Sequence, residues 1–336
     1  MRVPTALVVT TINAPNTILR ALADGAERSG IDFIAIGDQK SPADFALDGC
    51  RFLDLAAQSR LPFGFARACP VRHYSRKNIG YLVALSEGAE IIIETDDDNL
   101  PLDGFWEDRQ RSIPARRQVQ RGWFNAYREF SDANIWPRGF PLDEIAKSAN
   151  YPPLSEVAAV DSPIQQALAN GNPDVDAVYR LALPLPQDFR SSSPIALGAG
   201  VWCPFNSQNT TWWKVAAPLL YLPSHCSFRM TDIWRSFVAQ RIAWENGWCL
   251  TFQGPTVWQD RNEHNLMKDF EEEIPGYLHN RAIVDALSKL SLASGISAIA
   301  DNLRICYRAL VDLRVIGADE LSLLDLWLSD LAGLAG

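Results

Sequence analysis

The order of apolar and polar residues in the first hundred positions predicts strands alternating with helices. Apolar, β-branched runs at residues 3–10, 31–36 and 89–95 are typical of strands. Helical spacing of apolar residues fills the segments 18–28 and 75–87 between them. This alternation indicates a Rossmann-like α/β fold, mostly parallel and flanked by helices. Ligands of such sheets bind at the carboxyl ends of the strands.

The pattern changes after Pro101. Up to Pro223, prolines and tryptophans are frequent and helical periodicity is weak, which predicts a mixed sheet with long loops. We expect those loops at residues 118–130, 175–183 and 201–213. Long loops inside a compact domain commonly carry function.

The last part of the chain returns to helical spacing. A helix is predicted over 231–244 and a strand over 248–252, and from about Ile274 three amphipathic helices follow. We therefore predict two regions, an α/β ligand-binding domain over residues 1–270 and an all-α appendage over residues 271–336. The appendage offers surfaces for contacts between copies of the chain, as in a homo-oligomer.

Composition narrows the possible partners. The chain has 336 residues with a net charge of -9, which argues against nucleic acid or an anionic membrane as partner. Six scattered cysteines without a C-x-x-C pair predict free thiols rather than a zinc site or disulfides. No signal peptide and no run of about 18 apolar residues is present, so no membrane span is predicted. We expect a cytoplasmic protein.

Three consecutive carboxylates, Asp96, Asp97 and Asp98, follow the apolar run at 89–95. Their mutual repulsion at a strand end is costly unless a cation offsets it. Mn²⁺ or Mg²⁺ binds such carboxylates together with phosphate oxygens. Strand alternation would place Asp96 and Asp98 on one side and Asp97 on the other. The alternative is a solvated acidic turn.

A basic pair, Arg76 and Lys77, precedes Asn78 at the start of the helix before that strand. Basic side chains at a helix amino terminus are suited to phosphate. The alternative is an exposed basic turn, which is more readily assigned to Lys77 than to Arg76.

Five ordered segments resemble the STELLO family and, more loosely, the GT-A glycosyltransferases. They are R-K-N-x-G-Y through E-T-D-D-D-N (76–99), T-T-I-N-A-P (10–15), G-D-Q-K-S-P (37–42), P-F-N-S-Q-N-T (204–210) and L-P-S-H-C-S-F-R-M-T-D-I-W-R (222–235). The resemblance covers roughly residues 3 to 265 and leaves the helical tail outside. It implies a GT-A fold and a metal-dependent transfer of sugar from a nucleotide-sugar, in particular a UDP-sugar, to a glycan or small hydroxyl acceptor.

The resemblance also implies roles for individual residues. The nucleotide would contact Thr10, Thr11, Asn13, Asp38, Lys40, Arg76, Asn78, Asp96 and Asp97. The metal would bind Asp96, Asp98 and His264, and the alternative for His264, a surface histidine, is the commoner outcome for this residue type.

Four further residues are candidates for the sugar or the acceptor, namely Arg180, Asn206, Asn209 and Arg229. For the two arginines, surface ion pairs are the alternative. Asp232 is the candidate catalytic base, because inverting GT-A enzymes place a carboxylate at such a helix start. Its alternative is a helix cap or a first-turn acid.

Three functions fit these residues. The first is the metal-dependent glycosyltransferase. The second is a nucleotide-sugar mutase or self-glycosylating protein, which needs no external acceptor. The third is a non-catalytic scaffold that binds sugar nucleotides without turnover.

Overall fold

The computed structural model describes residues 3–147, 151–260 and 265–334. In chain order its first part consists of β1 (Thr5–Thr10), α1 (Thr17–Ser29), β2 (Asp32–Ile36), β3 (Arg51–Leu53), α2 (Leu55–Ser59), α3 (Gly64–Ala68), α4 (Lys77–Ser86) and β4 (Ile91–Thr95). The four strands pair in parallel in the order β3-β2-β1-β4. The predicted α/β beginning of the chain is confirmed.

The middle of the chain extends this sheet. It contributes β5 (Asn99–Pro101), β6 (Ser112–Gln118), β7 (Gly122–Trp123), β8 (Ala158–Asp161), β9 (Ile164–Asn170), α5 (Ala177–Ala182), β10 (Ile195–Leu197), β11 (Val201–Trp202), β12 (Asn209–Trp213), α6 (Thr231–Glu245) and β13 (Leu250–Gln259). The order continues from β4 as β12-β9-β13-β10-β6-β8, with β5 paired to β13 and a separate β7–β11 pair. Because β12 is antiparallel to both β4 and β9, the sheet is mixed.

All three predicted loops contain regular structure. Strand β7 lies within 118–130, helix α5 lies within 175–183, and β11 and β12 lie within 201–213. These elements are too short for their periodicity to be recognised, and the sheet neighbours that stabilise β12 are remote in sequence. Strand β13 also runs beyond the predicted end at Phe252, with register shifts around Pro255.

Three helices follow the sheet, α7 (Leu266–Lys289), α8 (Ile299–Asp312) and α9 (Glu320–Gly333). Their helical character was predicted. Their buried side chains, including Tyr307 and Trp327, belong to the same hydrophobic core as Phe65 and Tyr81 of the sheet domain. Helix α7 also crosses the predicted boundary at residue 270. No helix in the three described ranges is long and apolar enough to span a membrane.

Candidate functional site

The loops that follow β1, β2 and β4 meet at one edge of the sheet. Thr11 and Asn13 follow β1, Asp38 follows β2, and the acidic triplet follows β4. Since these strands are neighbours and parallel, their carboxyl ends form the crevice where α/β sheets bind ligands. The structure therefore brings these predicted residues together.

The three carboxylates of the triplet face three different sets of partners. The strand ends at Thr95, so residues 96–98 form a turn and the predicted strand alternation of the triplet was wrong. Asp96 accepts hydrogen bonds from Tyr74 Oη (2.7 Å) and Lys77 Nζ (3.0 Å). Asp98 faces Gln259 Nε2, which lies 3.2 Å from each carboxylate oxygen.

Asp97 is held by the loop after β1. Its Oδ2 accepts from Thr11 Oγ1 (2.5 Å) and Asn13 Nδ2 (2.9 Å). Burial raises the pKa of the Asp97 carboxyl, and these two hydrogen bonds counteract part of the rise. Asn16 Nδ2 also donates to the Asp97 backbone carbonyl (3.0 Å). The β1 loop and the triplet therefore form one hydrogen-bonded unit.

Lys77 supplies a positive charge at this site, although its position in the sequence favours an exposed turn more than that of Arg76 does. Its side chain is fully buried and Nζ donates to Tyr74 Oη (2.7 Å), Thr95 O (2.6 Å) and Asp96 Oδ1 (3.0 Å). Ser207 O lies 3.4 Å from the same ammonium group. Lys77 therefore joins the end of β4 to the loop before β12. The feature of the sequence that points to Lys77 is its position in the first turn of α4, the helix that precedes the apolar strand β4.

Arg76 and Asn78 are directed away from the triplet. Buried Arg76 donates to Gln58 Oε1 from Nε (2.9 Å) and to Cys69 O from Nη1 (3.0 Å). Asn78 exchanges two hydrogen bonds of 2.9 Å with the backbone of Leu222. These contacts give both side chains structural roles in the protein, and contact with a nucleotide stays a prediction.

Asp38 and Lys40 lie on the loop after β2. The Asp38 carboxylate accepts from the backbone amides of Gln39 (2.6 Å) and His73 (3.0 Å), which fixes its orientation. Lys40 is exposed, and Thr10 is the half-buried last residue of β1. Contact of a ligand with these three residues stays a prediction.

Asp232 lies in the first turn of α6 and forms a buried ion pair. Arg138 Nη1 and Nη2 each lie 3.0 Å from one Asp232 oxygen, and Arg138 also binds Asp174 through two contacts of 2.8 Å. Burial opposes ionisation of Asp232, but the Arg138 guanidinium outweighs it and holds the pKa of that carboxyl well below its usual range. The helix cap itself is Met230, so Asp232 is a first-turn acid rather than the cap.

Ser207 connects Asp232 with the acidic triplet. Ser207 Oγ lies 2.7 Å from Tyr74 Oη and donates to Asp232 Oδ2 (3.1 Å). Tyr74 in turn donates to Asp96. A continuous hydrogen-bonded path thus joins Asp96, a predicted metal ligand, to Asp232, the predicted catalytic carboxylate, which lies 136 residues later in the chain.

The four sugar or acceptor candidates have partners inside the protein. Arg229 is paired with Glu273 Oε1 at 3.0 and 2.9 Å, and Arg180 Nη2 donates to Pro173 O (2.8 Å). Asn206 O accepts from Thr210 Oγ1 (2.7 Å), and Asn209 Nδ2 donates to Thr256 Oγ1 (2.8 Å). Arg229 adjoins Asp232 because its backbone carbonyl accepts from Arg138. Asn209 pairs with Thr95 across the sheet, beside the triplet.

The residues around Asp98 are suited to a hard cation, although their ligand set is incomplete in the described ranges. No group of three or more histidine, cysteine, aspartate or glutamate side chains suited to a metal occurs there. His264 lies outside the described residues. Beside Asp98, however, the buried amide oxygens Asn99 Oδ1 and Gln259 Oε1 have no hydrogen-bond donor in this part of the structure. Carboxylate and amide oxygens are the ligands that Mg²⁺ and Mn²⁺ accept.

A cavity of about 980 Å³ lies elsewhere. It is bordered by Trp123, Tyr151 and Trp202, and by Arg241 and Trp244 near the end of α6. Asp232 lies at the start of this 15-residue helix, which is about 22 Å long. The cavity therefore lies near the other end of α6, away from Asp232. The chemistry-bearing side chains, and not cavity size, define the candidate site.

The chain is similar in sequence to known proteins. The family described as STELLO glycosyltransferases matches residues 229–335. "Probable glycosyltransferase STELLO2" from Arabidopsis thaliana is 33% identical over 270 residues, covering 75% of this chain and 35% of that protein. Over these residues the chain is similar to the STELLO glycosyltransferases. "Probable glycosyltransferase STELLO1" from the same plant is 31% identical over the same extent.

The match extends further along the chain than predicted, but it covers only part of the relatives' length. Helices α7–α9 fall inside the matched residues 229–335, so the prediction that the helical tail lies outside the resemblance was wrong. The tail shows helical apolar spacing but contains none of the five segments on which the resemblance rests. The chain spans about a third of the length of these curated STELLO relatives, 35% in each case.

Proposed function

We propose that this STELLO-like protein is a glycosyltransferase of the GT-A type. It transfers a sugar from a UDP-sugar to a hydroxyl acceptor with the help of Mn²⁺ or Mg²⁺. The observation that carries the proposal is the meeting of Asp96, Asp97 and Asp98 with the Thr11–Asn13 loop at the carboxyl edge of the parallel strands. The names of the relatives, both probable glycosyltransferases, support it.

In this proposal Asp98 holds the cation, with Asp96 and His264 as the further predicted ligands. A bound divalent cation would offset the negative charge that develops on the leaving diphosphate. Lys77 contributes a fixed positive charge beside Asp96. The chain's net charge of -9 makes such local positive charge necessary for a diphosphate ligand.

Asp232 is the proposed base for the acceptor hydroxyl. Its pairing with Arg138 has two opposing consequences. The guanidinium keeps the carboxylate ionised, which is the form that a base requires. It also lowers the proton affinity of that carboxylate, which weakens proton transfer. A base held in this way remains active down to acidic pH.

The test of nucleotide and metal binding is calorimetry with UDP and a panel of UDP-sugars, with and without Mn²⁺. We expect binding that depends on Mn²⁺ in the wild type and is lost in Asp98→Ala. Asp103→Ala, an exposed carboxylate shortly after the triplet, is the matched control and should bind as the wild type does. Binding that ignores both Mn²⁺ and the Asp98 substitution would contradict the proposal.

A non-catalytic scaffold is the second candidate, favoured by the low proton affinity of Asp232. Donor turnover by Asp232→Asn separates the two functions. A catalytic base predicts a loss of about 10²- to 10⁴-fold with UDP affinity unchanged. For a scaffold, the wild type binds the nucleotide without turnover. UDP-sugar consumption in the absence of any acceptor would instead indicate the mutase or self-glycosylating function.

A further inference from the structure

Gln259 ends β13 directly beside the acidic triplet. It is cross-strand partner to Asn99 of β5, and its side chain is buried. Its Nε2 lies 3.2 Å from both oxygens of Asp98, while the Asp98 backbone carbonyl accepts from Asp260 N (2.9 Å). The end of β13 is therefore fastened to the triplet by main-chain and side-chain contacts.

In the described part of the chain, the oxygen end of the Gln259 amide has no hydrogen-bond partner. Within the described ranges, no hydrogen-bond donor reaches Gln259 Oε1, and the same holds for Asn99 Oδ1. Asn99 Nδ2 is committed to Thr95 Oγ1 (3.1 Å) and Gln208 O (2.9 Å), so that amide cannot rotate without losing both contacts. Burying unpaired carbonyl oxygens is unfavourable, and native proteins retain them chiefly where function requires them.

A half-turn of the Gln259 amide would exchange its nitrogen and oxygen. The oxygen would then lie where Nε2 lies now, 3.2 Å from each Asp98 oxygen. Neighbouring ligands of an octahedral cation with bonds of about 2.1 Å are about 3.0 Å apart. The separation fits two ligands of one cation. Without a cation, three oxygens so close would repel one another, and the nitrogen faces the carboxylate instead.

We propose that Gln259 is a cation ligand that acts through this amide rotation, with Oε1 joining Asp98 when a hard divalent cation binds. The proposal rests on the proposed function, because it uses the same cation. A neutral amide adds a ligand without adding negative charge, so the cation keeps most of its charge for a diphosphate. An all-oxygen pair of ligands selects Mg²⁺, Mn²⁺ or Ca²⁺ over softer metals.

The test is the affinity for Mn²⁺ in the presence of UDP, measured from the EPR signal of free Mn²⁺. Gln259→Met keeps the length of the side chain and removes the amide. We expect it to weaken Mn²⁺ binding at least tenfold, and Gln259→Glu to retain or strengthen it. Gln253→Met on the same strand is the matched control, since Gln253 contacts Gln165 (2.7 Å) and not the triplet. It should bind Mn²⁺ as the wild type does.

The outcomes separate the two proposals. If Gln259→Met and Gln259→Glu both bind Mn²⁺ with wild-type affinity while Asp98→Asn does not, the role of Gln259 is overturned and the cation site stands. If the wild type binds no Mn²⁺ with UDP, the cation in the proposed function is refuted and this inference with it. Should Gln259→Met fail to fold, Gln259→Glu decides, because weakened binding in a folded glutamate variant contradicts an oxygen ligand at this position.

Discussion

The ammonium group of Lys77 lies among four oxygen acceptors and has no contact with solvent. A buried ammonium is expensive unless it is paired and hydrogen-bonded. Here one carboxylate, one phenol and two backbone carbonyls meet that requirement. Lys77 is therefore as much a structural residue of the β4 end as a part of the candidate site.

Replacing Lys77 with methionine should destabilise the protein. The substitution keeps the apolar stem but leaves Asp96 without its counter-charge, next to Asp97. We expect a loss of about 2–4 kcal/mol in the free energy of unfolding, somewhat below a fully buried pair because Asp96 retains some solvent contact. Urea denaturation measures it. Lys214→Met removes the exposed pair with Glu90 and should cost less than about 1 kcal/mol. Equal effects of the two variants would contradict this account.

The sequence predicts the position of the triplet but not which cation faces it. Arg76 and Lys77 are adjacent, and a 3-10 turn over Tyr74–Arg76 precedes α4. Successive helical residues point about 100° apart, so the exact start of the helix decides which side chain reaches Asp96. Helix starts are read from sequence only to within one or two residues. For that reason the sequence does not show that Lys77, rather than Arg76, faces Asp96.

At the scale of elements, the end of β13 also could not be predicted from the sequence. Gly254 and Pro255 normally end a strand, and the strand was predicted to stop at Phe252. In the structure the chain passes this point through register shifts and continues to Gln259. Bulges of this kind commonly lie beside functional sites. Neither the bulge nor the approach of Gln259 to Asp98 can be read from local propensity, because both depend on pairing with β9 and β5.

Helix α9 holds the segment after Tyr221 through one buried carboxylate. Glu320 accepts from the amides of Ser224 (2.9 Å) and His225 (2.7 Å), and also from Tyr221 Oη. The same segment is tied to α4 by Asn78. Glu320 thus connects the helical region to the framework of the candidate site.

Glu320→Ala should therefore cost about 3 kcal/mol of unfolding free energy, because it leaves several buried donors unpaired. Asp319→Ala, at the exposed neighbouring position, should cost about 0.5 kcal/mol or less. Thermal or chemical denaturation of both variants compares them. A Glu320 variant as stable as the Asp319 variant would show that α9 is only loosely joined to the sheet domain.

At the scale of the whole molecule, one buried acid should shape the dependence of stability on pH. Asp176 precedes α5, where it accepts from Tyr179 N (2.7 Å) and Trp136 Nε1 (2.8 Å). Burial raises the pKa of its carboxyl from 3.8 to about 7. Between pH 3.8 and about pH 7, the Asp176 carboxyl therefore keeps its proton in the folded protein and releases it in the unfolded chain. The corresponding stability is complete below about pH 4 and is lost as the pH rises to about 7.

Asp176→Asn removes this titration. The variant loses one hydrogen bond and should be less stable than the wild type at pH 4.5. The difference in unfolding free energy, variant minus wild type, should rise towards pH 7 by an amount on the order of 2–4 kcal/mol and then level off. Urea titrations across pH 4.5–8.5 measure this difference. The contributions of the other titrating groups are nearly the same in both proteins and therefore largely cancel. A difference that is constant with pH would contradict the raised pKa.

The hydrogen bonds that the amides of Gly64 (2.9 Å) and Phe65 (2.8 Å) donate to the Asp330 carboxylate have a consequence for biosynthesis. They join positions 266 and 265 residues apart, and Trp327 packs nearby against Phe65 and Tyr221. A nascent chain therefore completes its parallel strands long before the residues that cover this face leave the ribosome. Until then, Phe65 and Tyr221 stay uncovered, and this aromatic surface is where a chaperone would bind the growing polypeptide.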